Sequence, residues 1–135
     1  MKLRSYIVII IIIIAGFVIL RPEQPQVEVV NQVVSQVTVS EFTTLLESGE
    51  YQVIDLRTPE EIAEGKVTPD ALEIDYFAED FRDQLQTLDP NANYLVYCKA
   101  GGRSGKSLEI FQELGFTNVK DLEGGITAWN DVVKQ

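Results

Sequence analysis

The chain contains no histidine, and this absence excludes several kinds of enzyme site. Without an imidazole, no serine or cysteine protease triad, no histidine-ligated zinc site and no histidine general base can form. Only one cysteine is present among the 135 residues, so an internal disulfide is impossible, although an intermolecular one stays open. The covalent chemistry that remains is that of a single thiol, Cys98, activated by its surroundings.

Positive charge is also scarce. The chain has 11 lysine and arginine residues against 21 aspartate and glutamate residues, for a formal net charge of −10. Such a surface repels nucleic acid, so we expect no nucleic-acid partner. Three of the positive charges, Lys99, Arg103 and Lys106, lie in or beside one glycine-rich turn. Either this turn offers a small anion a local positive spot, or it is simply as polar as turns usually are.

Charge is absent altogether from residues 6–20, a run of 15 residues dominated by isoleucine. As a helix this run would be about 22 Å long, which is short against a hydrocarbon core of about 30 Å. The flanking side chains of Lys2, Arg4 and Arg21 can extend its reach by snorkelling. We therefore predict that residues 1–21 form an uncleaved membrane anchor, with a cleavable signal peptide as the alternative.

The charges around this run predict its orientation. Positive side chains on its N-terminal side place the start of the chain in the cytoplasm and the rest outside. We expect a single-pass protein of the cell membrane with an extracytoplasmic domain, periplasmic or at the cell surface, or a secreted protein if the segment is cleaved. Residues 22–36, with two prolines and four glutamines, are predicted to be a stalk, and residues 37–135 a single folded domain.

Strand and helix patterns alternate through this domain. Apolar and β-branched runs predict strands at residues 51–56, 71–74, 94–97 and 119–122, and the valine-rich residues 29–39 can contribute an edge strand, with residues 37–39 as the favoured part. Helical spacing and cap signals predict helices at residues 41–46, 59–64, 77–88 and 104–114, and a last one that opens at Gly124-Gly125 with Trp129 packed under this turn. We expect an α/β fold with a mostly parallel sheet and helices on both faces. Ligands bind at the carboxyl ends of such strands, where Asp55 and Cys98 both fall.

Two of the predicted helices begin with cap signals. Ser40 is the predicted N-cap of the first helix. Thr58, with Glu61 three positions later, predicts a capping box at the start of the second. Glu60, Glu61 and Glu64 are interpreted as a solvated helix face that interacts favourably with the helix dipole.

The only cysteine stands at the junction between a predicted strand and a predicted helix. Cys98 is followed by a glycine-rich loop that consists of Lys99, Ala100, Gly101, Gly102, Arg103 and Ser104. Backbone N–H groups of this loop can turn inward around the sulfur, and the positive end of the following helix points at it. Arg103 adds a permanent positive charge. Because all three effects favour the thiolate, Cys98 is the predicted catalytic residue and the loop is the predicted anion-binding site.

Three segments together resemble the rhodanese-like domain in its single-domain sulfurtransferase form. They lie at residues 53–65, 96–104 and 122–129 and read VIDLRTPEEIAEG, VYCKAGGRS and LEGGITAW. They occur in the order that this family has, and they span essentially the whole predicted domain. The resemblance implies a three-layer fold with a mostly parallel central sheet, here preceded by the predicted transmembrane helix.

The resemblance also implies a reaction. Cys98 would accept a sulfane sulfur from a donor such as thiosulfate, become a persulfide and pass the sulfur to a thiophilic acceptor such as cyanide or a thiol. No cofactor and no metal are expected. Asp55 is expected to orient Arg57 or a loop N–H group, which is a supporting role. The expected partner is a small anionic sulfur donor, or the persulfide or thiol of another protein.

Two positions depart from the pattern of the family. Lys66-Val67 stands where the family usually has His-Ile, and Pro69-Asp70-Ala71 stands where Pro-Gly-Ala is usual. Neither change affects the nucleophile, so we expect the fold and the reaction type to be kept while the rim of the site can differ.

Other interpretations compete with a sulfurtransferase. A non-catalytic binding or sensor module would use the pocket only for recognition. A cysteine phosphatase is a second alternative, but that class has five residues between its cysteine and its arginine, whereas four separate Cys98 and Arg103. No aspartate is evident as the general acid that a phosphatase would need. A P-loop that ends at Gly105-Lys106-Ser107 would need glycine at position 100, where Ala100 stands. Cys98 could also be a small buried apolar residue, which would not account for the glycine-rich loop.

Overall fold

The computed structural model describes residues 33–133 of the chain. The predicted anchor, residues 1–21, and the predicted stalk up to residue 32 lie outside these described residues. Among the helices of residues 33–133, none is long and apolar enough to cross a membrane. The transmembrane helix is therefore not shown, and it stays a prediction.

The described residues alternate between strands and helices. The strands are β1 Val33–Val37, β2 Gln52–Asp55, β3 Leu72–Glu73, β4 Asn93–Tyr97 and β5 Asn118–Leu122. The helices are α1 Val39–Ser48, α2 Pro59–Ile62, α3 Phe81–Gln86, α4 Gly102–Glu113 and α5 Gly125–Val133. All five strands form one sheet in the order β1-β5-β4-β2-β3, and every pairing is parallel. The predicted α/β fold with a parallel sheet is confirmed.

The central strand β4 separates two hydrophobic cores, because successive side chains of a strand point to opposite faces of the sheet. Tyr94 and Val96 pack on one face with Phe111 of α4. Leu95 and Tyr97 pack on the other face, in the core to which α1 and α5 contribute. Both faces of the sheet are thus covered. Because β4 is buried, Cys98, the residue that follows it, is also held in the core.

The first strand and the first helix begin earlier than predicted. β1 spans Val33–Val37, an edge strand within the valine-rich stretch 29–39 but earlier than its favoured part, residues 37–39, so residues 33–36, which were assigned to the stalk, pair with β5. The N-cap of α1 is Thr38 and not Ser40. The N–H group of Glu41 donates to Thr38 Oγ1 at 3.3 Å, and the N–H group of Thr38 donates to Glu41 Oε2 at 2.9 Å. Since β1 ends at Val37, Thr38 is the first residue that is free to cap the helix.

The helix predicted at residues 77–88 is much shorter, since α3 spans only Phe81–Gln86. The carboxylate of Asp75 accepts the N–H group of Phe77 at 2.9 Å, a local turn that competes with helix formation. The apolar positions do face the core as predicted: Phe81 and Leu85 are buried, and Leu88 is partly buried against the same cluster.

Candidate active site

Cys98 directly follows β4 at the carboxyl edge of the sheet. Its side chain belongs to the hydrophobic core and is only 1% exposed. The sulfur accepts the backbone N–H group of Gly101 at 3.1 Å and the hydroxyl of Ser104 at 3.3 Å. The glycine-rich loop therefore surrounds Sγ with hydrogen-bond donors.

These donors shift the ionisation of Cys98. Burial disfavours the thiolate, but the hydroxyl of Ser104 and the backbone N–H groups of Ser104, Ala100 and Arg103 outweigh it, so the pKa of the thiol lies below its ordinary value. Helix α4 begins at Gly102, so its positive end also lies in this loop. The thiol is thereby prepared as a nucleophile in a chain without histidine.

Arg103 does not present a free charge at this site, because it forms a bidentate ion pair with Glu61. The two N–O distances are 2.7 and 2.8 Å, and both side chains are mostly buried. The guanidinium of Arg103 lowers the pKa of Glu61 to about 2. The interpretation of Glu61 as part of a solvated helix face is therefore wrong, although the predicted capping box between Thr58 and Glu61 is confirmed. Glu60 and Glu64 are exposed as predicted.

Asp55, the last residue of β2, forms a second bidentate ion pair with Arg57, two positions later. Nε and Nη2 of Arg57 donate to the carboxylate of Asp55 at 2.9 and 2.7 Å, and the hydroxyl of Tyr97 donates to the same carboxylate at 2.5 Å. Arg57 also donates to the carbonyl oxygens of Glu61 at 2.9 Å and Gly65 at 2.7 Å. Arg57 therefore ties Asp55 to the segment that carries Glu61, whereas the hydrogen bonds to Cys98 Sγ within residues 33–133 come from Gly101 and Ser104.

Backbone hydrogen bonds tie the start of α5 to Cys98 and to the first residue of the glycine-rich loop. The N–H group of Ile126 donates to the carbonyl oxygen of Cys98 at 2.9 Å, and that of Thr127 donates to the carbonyl oxygen of Lys99 at 3.1 Å. Gly125 has a φ of 61°, and a Cβ atom there would lie 2.4 Å from the carbonyl oxygen of Cys98. Trp129, which was predicted to pack under this turn, packs edge-on against Phe42 of α1, with 5.8 Å between ring centroids, in the cluster that also contains Leu122 and Ile126.

The loop borders an open cavity of about 450 Å³. It is lined by Cys98, Lys99, Ala100, Gly102, Arg103, Lys106, Tyr76 and Phe77. Phe77 is 66% exposed at the rim, and the guanidinium of Arg103 lies 5.3 Å from the centre of its ring. Neither aromatic residue was predicted to belong to the site, because their segment was assigned to a helix or left without a role. Of the predicted loop residues, Gly101 and Ser104 contact the sulfur instead of lining this cavity, and Asp55 and Arg57 lie outside it.

A sequence model of the family described as the rhodanese-like domain matches residues 38–132. The chain belongs to this family. Similar proteins include thiosulfate sulfurtransferase 16, chloroplastic, of Arabidopsis thaliana, which is 34% identical over 109 residues that cover 73% of this chain and 89% of the relative. The putative sulfurtransferase YtwF of Bacillus subtilis is 36% identical over 85 residues, which cover 63% of this chain and 79% of the relative.

Solved structures show the same rhodanese-like fold. A rhodanese-like domain protein from Staphylococcus aureus superposes with a TM-score of 0.63 at 34% identity, covering 73% of this chain and 94% of that one. A rhodanese-related protein from Thermoplasma volcanium superposes with the same TM-score at 26% identity, covering 72% and 91%. The fold and the sulfurtransferase relatives together place the chain in a sulfurtransferase family.

Lys66, one of the positions at which the sequence departs from the expected family pattern, makes polar contacts with residues 71 and 73. Lys66 Nζ forms an ion pair with Glu73 at 2.9 Å and donates to the carbonyl oxygen of Ala71 at 3.4 Å. Lys66 also lines a second, polar cavity of about 470 Å³ together with Arg57 and Lys99. Within the described residues, no group of three or more cysteine, aspartate and glutamate side chains is placed to hold a metal ion.

Proposed function

We propose that this protein is a sulfurtransferase of the rhodanese type in which Cys98 carries the transferred sulfur as a persulfide. The observation that carries the proposal is the ring of donors around Sγ, which stabilises a negative sulfur without any proton acceptor from histidine. The same donors suit the outer sulfur of a persulfide, which bears its negative charge one atom further out.

The reaction takes place in two displacement steps. The thiolate of Cys98 attacks the sulfane sulfur of a donor such as thiosulfate, a new S–S bond forms, and sulfite leaves with the electrons of the broken S–S bond. A thiolate or cyanide then attacks the outer sulfur of the persulfide. The bond to Cys98 Sγ breaks, and the cysteine returns as a thiolate stabilised by the same hydrogen bonds.

Two lysines provide the charge that attracts an anionic donor. The four ion pairs of the described residues engage Arg57, Lys66, Arg82 and Arg103. Lys99 and Lys106 line the cavity beside Cys98 outside those pairs. We therefore assign attraction of the anion to the two lysines, and to Arg103 the role of shaping the loop together with Glu61.

Lys99→Gln/Lys106→Gln tests this assignment. We expect the KM for thiosulfate to rise roughly fivefold with little change in kcat, because two exposed charges steer the donor without taking part in the displacement. The effect should shrink as ionic strength rises. A lower kcat with an unchanged KM would contradict the assignment.

Mass spectrometry of the intact chain tests the function itself. Thiosulfate should add about 32 Da, the mass of one sulfur, and cyanide should remove it. Cys98→Ser should show no gain. A folded wild-type chain with a free thiol that gains no mass from thiosulfate or from organic persulfides would favour a binding module over an enzyme.

The place of the reaction in the cell is also part of the proposal. The apolar run at residues 6–20 supports a membrane anchor with the domain outside the cytoplasm. There, the donor and acceptor would be a persulfide and a thiol of another protein. Protease added to sealed cells should digest a domain that lies outside the cytoplasm. A domain that is digested only after the cells are opened would contradict the orientation. Disulfide trapping at Cys98 in membranes tests the partner, and the absence of any adduct would contradict this part of the proposal.

A further inference from the structure

The aromatic ring of Phe77 stands exposed beside the nucleophile and has no role in the two displacement steps. Phe77 is 66% exposed, more than any other large hydrophobic side chain of residues 33–133. It lines the same cavity as Cys98. Single apolar side chains are common on protein surfaces and need no function. Two features set Phe77 apart: the contacts that hold its ring, and the chemistry of the cavity that it lines.

Two sets of contacts hold the ring of Phe77. In the first, the ring of Tyr76 packs edge-on against it with 5.6 Å between centroids, and Tyr76 in turn packs at 5.2 Å against Phe81 in the core. In the second, the guanidinium of Arg103 lies 5.3 Å from the ring centre, and Glu61 holds that guanidinium by a bidentate ion pair. The ring is held in place although it is exposed, so a ligand that packs against it loses little additional side-chain entropy.

The backbone around this ring is also fixed. The N–H group of Tyr76 donates to the carbonyl oxygen of Leu56 at 3.2 Å, and that of Phe77 donates to the carboxylate of Asp75 at 2.9 Å. Leu56 directly follows β2 and is fully buried. The position of Phe77 at the rim of the cavity is thus set from the carboxyl edge of the sheet, the same edge that positions Cys98.

The cavity offers two kinds of contact to a ligand. Tyr76 and Phe77 supply aromatic surface, and Lys99 and Lys106 supply positive charge outside the ion pairs of the described residues. Its volume of about 450 Å³ corresponds to about 15 water molecules at about 30 Å³ each. Thiosulfate and cyanide are small hydrated ions without hydrocarbon surface, so they would leave the aromatic side chains in water. An organic thiol would cover them.

We propose that Phe77 determines the acceptor specificity of this site by favouring thiols that carry hydrocarbon beside their sulfur. The hydrocarbon packs on the exposed ring while the acceptor attacks the outer sulfur of the Cys98 persulfide. This inference rests on the proposed function, because it needs Cys98 to carry the sulfur.

The transfer to such an acceptor is balanced without a further reactant. A new S–S bond forms between the acceptor sulfur and the outer sulfur, and the bond to Cys98 Sγ breaks with its electron pair on Sγ. The proton of the acceptor thiol passes to the outer sulfur. The acceptor therefore leaves as an organic persulfide, and the negative charge returns to Cys98, where the N–H group of Gly101 and the hydroxyl of Ser104 stabilise it.

A series of hydroxyl-bearing thiols tests this specificity in the purified full chain. The chain is loaded with thiosulfate and freed of excess donor, and the loss of about 32 Da from its intact mass is followed in mercaptoethanol, mercaptopropanol, mercaptobutanol and mercaptohexanol. These thiols differ only in the number of methylene groups. A fully buried methylene group would raise the rate constant about fourfold, so partial contact with one ring should raise it about twofold per methylene group in the wild type.

Phe77→Ala removes the ring and should flatten this series. From mercaptoethanol to mercaptohexanol, the rate constant should rise about 16-fold in the wild type and less than about threefold in Phe77→Ala. The ratio of the rate constants for mercaptohexanol and cyanide should fall about fivefold. Phe77→Leu keeps hydrocarbon at this position without a ring to stack on Arg103, and it should retain most of the rise. Val132→Ala removes another exposed side chain, 60% exposed and outside the lining of this cavity, and should leave the series unchanged.

Cysteine peptides distinguish two sources of the same chemistry. One peptide has its cysteine between two leucines, and the other has its cysteine between two glycines. A preference for the leucine peptide that Phe77→Ala removes identifies protein thiols as acceptors at this site. A dependence on hydrocarbon that is confined to the free thiols identifies small organic thiols instead. In both cases the ring of Phe77 selects the hydrocarbon.

Three results would overturn the inference. The first is a wild-type series that does not depend on chain length, and the second is a series in Phe77→Ala that is as steep as in the wild type. The third is an equal fall in Phe77→Ala for loading by thiosulfate, for cyanide and for every thiol, since the ring would then act only on the structure of the loop through Arg103. A wild type that gains no mass from thiosulfate or from organic persulfides would overturn the proposed function and this inference together, and the missing gain of mass distinguishes that result from the other three.

Discussion

The backbone of Gly125 packs directly against the carbonyl group of Cys98. Gly125→Ala therefore tests whether this contact is needed to position Cys98. Besides its contact with the Cys98 carbonyl, the new Cβ atom would lie 2.7 Å from the carbonyl carbon and oxygen of Lys99. These are backbone atoms, which cannot swing aside as a flexible side chain can. The substitution therefore has to displace the residues that flank the sulfur.

The expected loss of stability has two parts. The left-handed conformation of residue 125 costs an alanine about 1 to 2 kcal/mol. Displacing the carbonyl groups of Cys98 and Lys99 weakens the bonds from Ile126 and Thr127, at about 1 kcal/mol each, and adds strain. We expect Gly125→Ala to lower the free energy of unfolding by about 3 to 5 kcal/mol and to abolish persulfide formation at Cys98.

Two other glycines serve as matched controls. Gly49 also has a positive φ, 72°, but a Cβ atom there meets nothing within 4 Å. Gly49→Ala should therefore cost only the conformational part, about 1 to 2 kcal/mol. Gly102 lies in the glycine-rich loop and is the first residue of α4, and a Cβ atom there would meet nothing within 4 Å. Gly102→Ala should be neutral or stabilise by up to about 1 kcal/mol, and it should keep persulfide formation.

Urea denaturation of the full chains gives the free energies, and intact mass after treatment with thiosulfate gives the persulfide. If Gly125→Ala loses no more stability than Gly49→Ala and still gains the sulfur, the support of the loop by α5 is not what positions Cys98. A loss of persulfide in Gly102→Ala would show that the loop is sensitive to any added side chain and not to this contact.

The side chains behind the loop give further expectations. The pKa of Glu61, held at about 2 by Arg103, means that this ion pair stabilises the protein fully above the ordinary value of 4.5 and is lost as pH falls from 4.5 to about 2. Glu61→Gln should cost about 2 to 3 kcal/mol at neutral pH, because it leaves the mostly buried Arg103 without its charged partner, and it should remove this part of the pH dependence of stability; parallel curves would contradict it. Arg57→Lys should cost about 3 kcal/mol in urea denaturation, because one ammonium group cannot satisfy Asp55 and two carbonyl oxygens, and an unchanged midpoint would refute this. Thr58→Ala should cost about 1 kcal/mol by loss of the cap, whereas Thr58→Ser should retain most of it.

Local patterns were sufficient for most of the fold. The alternation of apolar runs and helical spacing predicted the parallel sheet, and the spacing of Thr58 and Glu61 predicted a cap that is present. The cap of α1 was misplaced because both Thr38 and Ser40 can cap a helix. The choice between them depends on where β1 ends, and that is set by pairing with a strand far along the chain.

The candidate site divides in the same way. The cysteine and its glycine-rich loop are contiguous, so their hydrogen-bonding pattern follows from the local sequence. The partner of Arg103 is Glu61, 42 positions away, and no local pattern joins them. Only the convergence of β2 and β4 at one edge of the sheet could have suggested this pair. Phe77 was missed for a local reason, because the turn at Asp75 overrides the helical spacing that follows it.

The pairing of β1 with β5 has a consequence for how the chain folds. Val33 pairs with Asn118, so the first described strand joins the sheet only through its last strand, 85 positions later. During synthesis, β1 has no partner while β2, β3 and β4 can already assemble. Contacts of such long sequence separation form slowly because a large loop has to close. We expect β1 to be the last strand to join, so the backbone groups of β1 and of one edge of β5 stay open to wrong pairing until the C-terminal end of the chain is available.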